Sequence, residues 1–378
     1  MINMRNLILS VSLVLYSVAS FSIRASAVSY ILLFAFILSS YKVNRKIFEV
    51  NRKLLIFSLL LASYFLCSLF LSDSIRFVYY IKFLLLYPYF FIFSNLILLR
   101  KVKFYDLDTV VKYYVLIHSS IFLSQLVAYY AFGHYIDFNN MIREKFANTA
   151  YMSRDMNDMF ISIRATGLFS EPSFYAMTIF PGLVYIFNRK VFKLSLLVGI
   201  ATVILSFSAA AFIVLIMWMS VQMLFERGFK FRKFMMLFMI GIVVISMGTF
   251  FVKRTTDSND YDALGARLRI VHELQQRHDI NNLIGAGFFL EEFEGNGVTG
   301  ITSAGIRDSG MLLSTLYSAG IIGLFVILAT LALYLNNIKF FVIFMVLISF
   351  KYNIILSSFW VLVLLILVPT KLNEYFDD

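Results

Sequence analysis

Apolar residues in this chain gather into long runs separated by polar breaks. The runs cover about 7–23, 25–41, 54–71, 77–99, 110–131, 172–187, 194–207, 209–225, 234–252, 310–335, 339–350 and 354–369. A helix needs roughly 20 apolar residues to cross the hydrocarbon core of a bilayer, and most of the runs are near that length. They predict an all-α polytopic membrane protein of about twelve transmembrane helices, with residues 1–378 forming a single integral-membrane domain. The first run has only Arg5 as a charge ahead of it and no small-x-small cleavage pattern. It reads as a retained helix rather than a removed signal peptide. No internal repeat is visible, so an inverted-repeat transporter gains no support.

Two polar segments are too long to be turns: 133–171 and 253–308. Long loops on a compact scaffold are usually functional or disordered. The second contains a predicted amphipathic helix, Asp262 to Gln276, with Leu264, Leu268, Val271 and Gln275 on one stripe. Such a helix at the mouth of a bundle reads as a lid or a wall.

Composition agrees with the pattern. The chain is 60% hydrophobic and 15% charged, with a mean hydropathy of +0.82, against about 45–50% and 25% for soluble domains. An ordinary soluble enzyme, a disordered chain and a secreted disulfide scaffold are excluded. The single cysteine, Cys67, permits no intrachain disulfide.

The net charge of +11 changes meaning once it is divided by side. With the N-terminus inside, the inner loops and termini hold 18 Lys and Arg against 7 acids, and the outer segments 13 against 15. Every short basic loop then falls on one side, as the positive-inside rule requires. The expected topology is N-in/C-in, with segments 133–171 and 253–308 as two larger outer-face loops. The basic excess reports orientation, not a nucleic-acid partner.

The outer cations are 10 Arg and 3 Lys, whereas the inner ones are 7 Arg and 11 Lys. Orientation needs only charge, but the planar guanidinium grips phosphate or carboxylate. Either the outer arginines bind an anionic group such as a pyrophosphate, or they pair with the outer acids. Within the spans, Lys82 and Lys112 sit close enough to an end to snorkel. His118 and Gln125 lie deeper and share a face, and a satisfied interhelical contact is the favoured reading for the histidine.

The segment Arg164-Ala-Thr-Gly-Leu-Phe-Ser-Glu171-Pro-Ser173 carries most of the chemistry. Proline is favoured at the first helical position, which makes Glu171 the expected N-cap of the sixth span. The dipole and amide hydrogen bonds there favour an ionised carboxylate. That suits an anchor, a partner for Arg164 or a general base, and not a general acid. A capping carboxylate with a structural salt bridge fits the same residues.

Arg-x-x-Gly-x-Phe-x-Glu-Pro-Ser-x-x-Ala, from Arg164 to Ala176, resembles the signature of the O-antigen polymerase and ligase superfamily. Three further features are similar: the Leu205-Ser-Phe-Ser208 break between spans, Arg267 on a helix leading to Leu283-Ile-Gly-Ala-Gly287, and Asp308-Ser-Gly-Met-Leu opening the tenth span through Gly320-Ile-Ile-Gly323. Ligases of this superfamily resemble one another in a histidine near the tenth span, where this chain has Asp308-Ser309. Its outer-loop histidines, His272 and His278, lie on or just after the earlier helix. The resemblance therefore leans to the Wzy-type polymerase, with a ligase-like transferase or a lipid-linked oligosaccharide transporter as alternatives. Ser208 is followed by three alanines where relatives often carry a basic residue.

The resemblance implies transfer of a glycan from undecaprenyl pyrophosphate to a sugar hydroxyl of a new lipid-linked repeat unit. The place implied is the outer, periplasmic face of a bacterial cytoplasmic (inner) membrane. The donor is already activated, and the sequence has no P-loop and no metal-ligand spacing, so no cofactor is expected. Preorganised cations at a departing pyrophosphate lower its barrier, and Arg164 and Arg267 are the candidates. On a helical wheel Arg267 lies about 60° from the apolar stripe and Arg269 about 140°, so Arg267 should face the bundle. Glu171 and Asp308 are the candidates to take the hydroxyl proton. Arg269, Arg143, Arg307 and the Gly285-Ala-Gly287 turn are the candidates for substrate binding. Lipid-linked oligosaccharides are the implied substrates, and a chain-length regulator and a flippase the implied partners.

Overall fold

The computed structural model describes residues 4–41, 49–71, 77–143, 162–225, 263–276, 281–285, 309–332 and 337–370, with 241, 248, 287 and 306. Every regular element among the described residues is a helix, and there is no strand among them. The helices are α1 (Met4–Ser17), α2 (Ile23–Tyr41), α3 (Arg52–Leu71), α4 (Phe77–Leu98), α5 (Phe104–Phe132), α6 (Phe138–Ile142), α7 (Pro172–Arg189), α8 (Lys193–Leu205) and α9 (Ala209–Phe225). They continue with α10 (Ala263–Gln276), α11 (Asn281–Ile284), α12 (Met311–Ala332), α13 (Ile338–Ile348) and α14 (Ser357–Leu362). α14 runs on through a π-turn, Val363–Leu367, to Thr370. Each predicted apolar run but one coincides with a helix. The exception, 234–252, lies outside the described residues apart from Gly241 and Gly248. Among the described residues, three helical stretches are long and apolar enough to cross a membrane: Tyr80–Leu98, Phe104–Phe132 and Met311–Ala332. Large apolar side chains stand exposed along several helices, among them Ile31, Leu38, Leu59, Leu197 and Phe325.

The chain gathers into two compact units. The first comprises residues 1–60, 78–208 and 354–378; the second comprises 61–77 and 209–353.

In the first unit, α5 packs against α1, α7 and α8, and α14 against α1 and α7. Every residue of α14 and its π-turn is buried. A helix apolar on all sides and covered on all sides is a core element. Trp360 anchors it, with Phe90, Tyr87 and Phe83 at centroid distances of 4.8, 5.1 and 6.1 Å. Polar side chains join the helices where small residues bring backbones close. Ser12 donates to the carbonyl of Ser29, and Ser357 to the carbonyl of Ser17. Pro88 interrupts α4, and there the Tyr30 hydroxyl enters the ladder. It accepts the Tyr89 amide at 2.8 Å and donates to the Leu85 carbonyl, so both ends of the opened backbone bond are satisfied.

One end of this unit is held by charge. Asp108 accepts from the Tyr185 hydroxyl at 2.8 Å and pairs with Arg189 at 3.3 Å, all buried. Arg189 also lies over Phe104, Lys112 over Phe192, and Asn6 donates to Asp106. The starts of α1, α5 and α8 and the finish of α7 therefore meet at this end, as antiparallel helices must.

In the second unit, α11 crosses α12. α12 is not continuous: Gly320 has φ 64° and ψ −169°, which breaks the ladder. The loosened carbonyls find donors elsewhere. Ser318 accepts from the Gly287 amide at 2.7 Å and Ala319 from the Tyr64 hydroxyl at 3.0 Å. Irregular backbone within a membrane span persists only where such groups are satisfied.

Candidate functional site

The Arg164–Ser173 segment lies in the first unit, laid across the Gly133 end of α5 and leading into α7. Two α5 hydrogen bonds hold it, and two more hold the residues just before it. The Tyr129 hydroxyl meets that of Ser162 at 3.1 Å, and Tyr130 donates to the Ile163 carbonyl at 2.9 Å. The Gln125 side-chain oxygen accepts the amides of Thr166 at 2.7 Å and Gly167 at 2.9 Å. Thr166 to Phe169 then closes as a turn, the Phe169 amide donating to the Thr166 carbonyl. The turn needs Gly167, whose φ is +58°; a Cβ there would also lie 3.2 Å from the Tyr175 ring.

Aromatic packing fixes the rest. Phe169 is buried, stacked on His118 and edge-on to Phe21, which also meets Phe174. His118 reaches across to Ser17 of α1 at 3.1 Å from Nε2. That is an interhelical contact of the expected kind, made through Nε2, while the buried Nδ1 has no hydrogen-bond partner among the described residues. Tyr175, one turn into α7, stacks on Phe122 at 4.4 Å and donates to Thr202 of α8 at 2.7 Å.

Arg164 is 5% exposed, and its Nη1 donates to the Phe207 carbonyl at 3.4 Å. Phe207 sits in the serine break, with φ +46° between Ser206 and Ser208, both buried. The first two features of the resemblance, far apart in sequence, thus meet. Arg143 joins the same group: its guanidinium lies over the Phe21 ring, 5.2 Å from the centroid.

Glu171 is the N-cap residue of α7, with Pro172 at the first helical position, as the sequence predicts. Its expected capping bond is not formed. The carboxylate accepts no helix amide and instead takes the Ser173 hydroxyl at 2.9 Å. The Ser173 hydroxyl supplies the carboxylate with a donor outside the cap geometry.

In the second unit, α10 forms where predicted, but its buried face is different. Ile270 is fully buried with Tyr317 and Ile306, and Leu274 packs beside them. Leu268 is 60% exposed and Val271 is exposed, so the predicted Leu264–Leu268–Val271–Gln275 stripe is not the packed one. The reason is a polar contact: the Tyr317 hydroxyl donates to Glu273 at 2.9 Å, which turns Ile270 and Leu274 inward. Arg267 shares that side, one turn before Ile270, and is half-buried; Arg269 is exposed. Gly287 spends its amide on Ser318, and Gly285 lies so close to the Ser318–Ala319 backbone that no Cβ fits. This turn is a tight backbone crossing. Arg307 and Asp308 lie outside the described residues.

Among the described residues, no three of His, Cys, Asp and Glu gather closely enough to hold a metal ion. What the first unit does assemble is a buried guanidinium, a second arginine over an aromatic ring, and a carboxylate at a helix start. The sequence alone does not connect Gln125, Tyr130 or Phe21 with this site. The polar Gln125 near the end of an apolar span was the one signal available. Set against models of protein families and against curated protein sequences, the chain matches none. The functional reading therefore rests on the residues themselves.

Proposed function

We propose that this chain is a polymerase of undecaprenyl-pyrophosphate-linked oligosaccharide repeat units, of O-antigen or capsular type. It belongs in the inner membrane, with about twelve spans, both termini cytoplasmic and the site at the periplasmic face. The observation that carries the reading is the meeting of Arg164 with the serine break at Phe207, on a turn that leads directly to Glu171. The topology is supported within the first unit. The Asp108–Arg189 end gathers residues from the basic inner loops, while the Arg164 turn belongs to the opposite ends of α5 and α7.

In the proposed reaction the acceptor hydroxyl oxygen bonds to the anomeric carbon of the donor glycan. The bond from that carbon to the pyrophosphate oxygen breaks, and its electron pair leaves with undecaprenyl pyrophosphate. The hydroxyl proton passes to a carboxylate, for which Glu171 and Asp308 are the candidates. Arg164 stabilises charge on the leaving group. A buried cation acts strongly because little water screens it, and it needs no reorganisation as the charge develops. Arg143 contributes to substrate binding, and Arg267 is the corresponding cation of the second unit. Elongation needs no nucleotide and no metal.

Purified protein in lipid bilayers, given a lipid-linked repeat unit, tests this. The expected result is a ladder of whole repeats, lost in Arg164→Ala with insertion unchanged. A wild-type protein that transports the lipid without elongating it, or an Arg164→Ala variant that polymerises at the wild-type rate, overturns the reading.

A further inference from the structure

Gln125 is fully buried on α5, eight residues before Gly133, and its carboxamide serves three partners in two separate segments. Its Oε1 accepts from Thr166 and Gly167, and its Nε2 donates to the Ile136 carbonyl at 2.8 Å. The partners settle the amide's orientation. Rotated by half a turn, it would set a donor against two N–H groups and an acceptor against a carbonyl. Three chain segments are thereby fixed to one side chain: α5, the stretch after Gly133, and the turn between Arg164 and Glu171.

We propose that Gln125 is the positioning residue of the Arg164–Glu171 turn, acting through the amides of Thr166 and Gly167. The inference rests on the reading of that turn as the site of glycosyl transfer. Two adjacent N–H groups share one acceptor and so define the turn's shape, and both residues are buried, so losing that acceptor is costly. Arg164 lies two residues before the first of these amides, and Glu171 four residues after the second. Loss of the acceptor therefore moves both functional side chains together. A shift of about 1 Å in positioned groups costs on the order of 10² in rate. Lipid binding through the prenyl chain is untouched.

Two variants separate positioning from packing. Gln125→Leu fills the space and supplies no acceptor; Gln125→Glu keeps the acceptor for both amides and, held protonated by burial, the donor to the Ile136 carbonyl. Were Gln125 only a packing group, leucine would be the milder change. If it positions the turn, glutamate is. The experiment uses the full chain in lipid bilayers with two readouts: steady-state elongation of a lipid-linked repeat unit, and hydrogen exchange of the Thr166 and Gly167 amides.

In Gln125→Leu, kcat is expected to fall by about 10²-fold with KM changed less than about threefold. The two amides exchange at least about tenfold faster, the loss of protection that local opening brings. Gln125→Glu keeps wild-type exchange there and kcat within about tenfold of wild type. Retained protection in Gln125→Leu, or a leucine variant faster than the glutamate one, overturns the proposal. Should the leucine variant fail to insert, the glutamate variant decides alone by the same two values. If wild type makes no ladder while Gln125→Leu loses protection, the reading of the reaction fails and Gln125 still holds the turn.

Discussion

The guanidinium of Arg164 donates to the main-chain carbonyl of Phe207, 43 residues away, inside the three-residue gap that ends α8. The contact ties a buried guanidinium to the break between two helices. Lysine at this position keeps the charge but not the planar fork. Arg164→Lys is expected to insert normally and to elongate about 10²–10³-fold more slowly, the usual cost of losing one preorganised donor. Initial rates of ladder formation check this; a lysine variant at wild-type rate would show that charge alone suffices.

The break in α12 gives a prediction about stability. At Gly320 the backbone is left-handed, and a Cβ would run into the Leu283 carbonyl and the Ile284 amide nitrogen. Neither is a movable side-chain tip. Gly320→Ala should cost about 1–3 kcal/mol for the conformation and about 1–3 kcal/mol for overpacking. Thermal unfolding in detergent measures this as a clear fall in Tm. An unchanged Tm would mean that α12 straightens freely.

The buried Asp108–Arg189 pair gives another. Asp108 takes both the Tyr185 hydroxyl and the guanidinium, so Asp108→Asn removes a negative partner from a buried arginine side chain. Breaking such a pair from one side typically costs about 3–5 kcal/mol. Double substitution with Arg189→Met should recover much of the loss. The pair lies at the end of the unit away from the Arg164 turn. Elongation per folded molecule should therefore stay within about threefold of wild type, as for other sites remote from the chemistry.

Most helices could be read from the chain because their signal is local: a run of apolar residues, with Asn51, Gly133 or Pro172 at a boundary. The segment Arg164–Ser173 was legible for the same reason, since its chemistry is contiguous. What holds it was not. Gln125 meets Thr166 and Gly167 across 41 and 42 residues, and nothing near Gln125 in the chain announces those partners. The face of α10 went wrong for a related reason. Leu268 and Val271 on one side rival Ile270 and Leu274 on the other, and the hydroxyl of Tyr317, 44 residues from Glu273, decides between them.

The central claim is that one glycosidic bond forms for each undecaprenyl pyrophosphate released. Purified protein in bilayers, with a chelator present and nucleotide absent, is given a lipid-linked repeat unit, and bonds formed and lipid pyrophosphate released are counted over the same interval. The predicted result is a ratio of one throughout the rise of the ladder, with both quantities abolished together in Arg164→Ala. Release of lipid pyrophosphate without bond formation, or transfer that persists in Arg164→Ala, would contradict it.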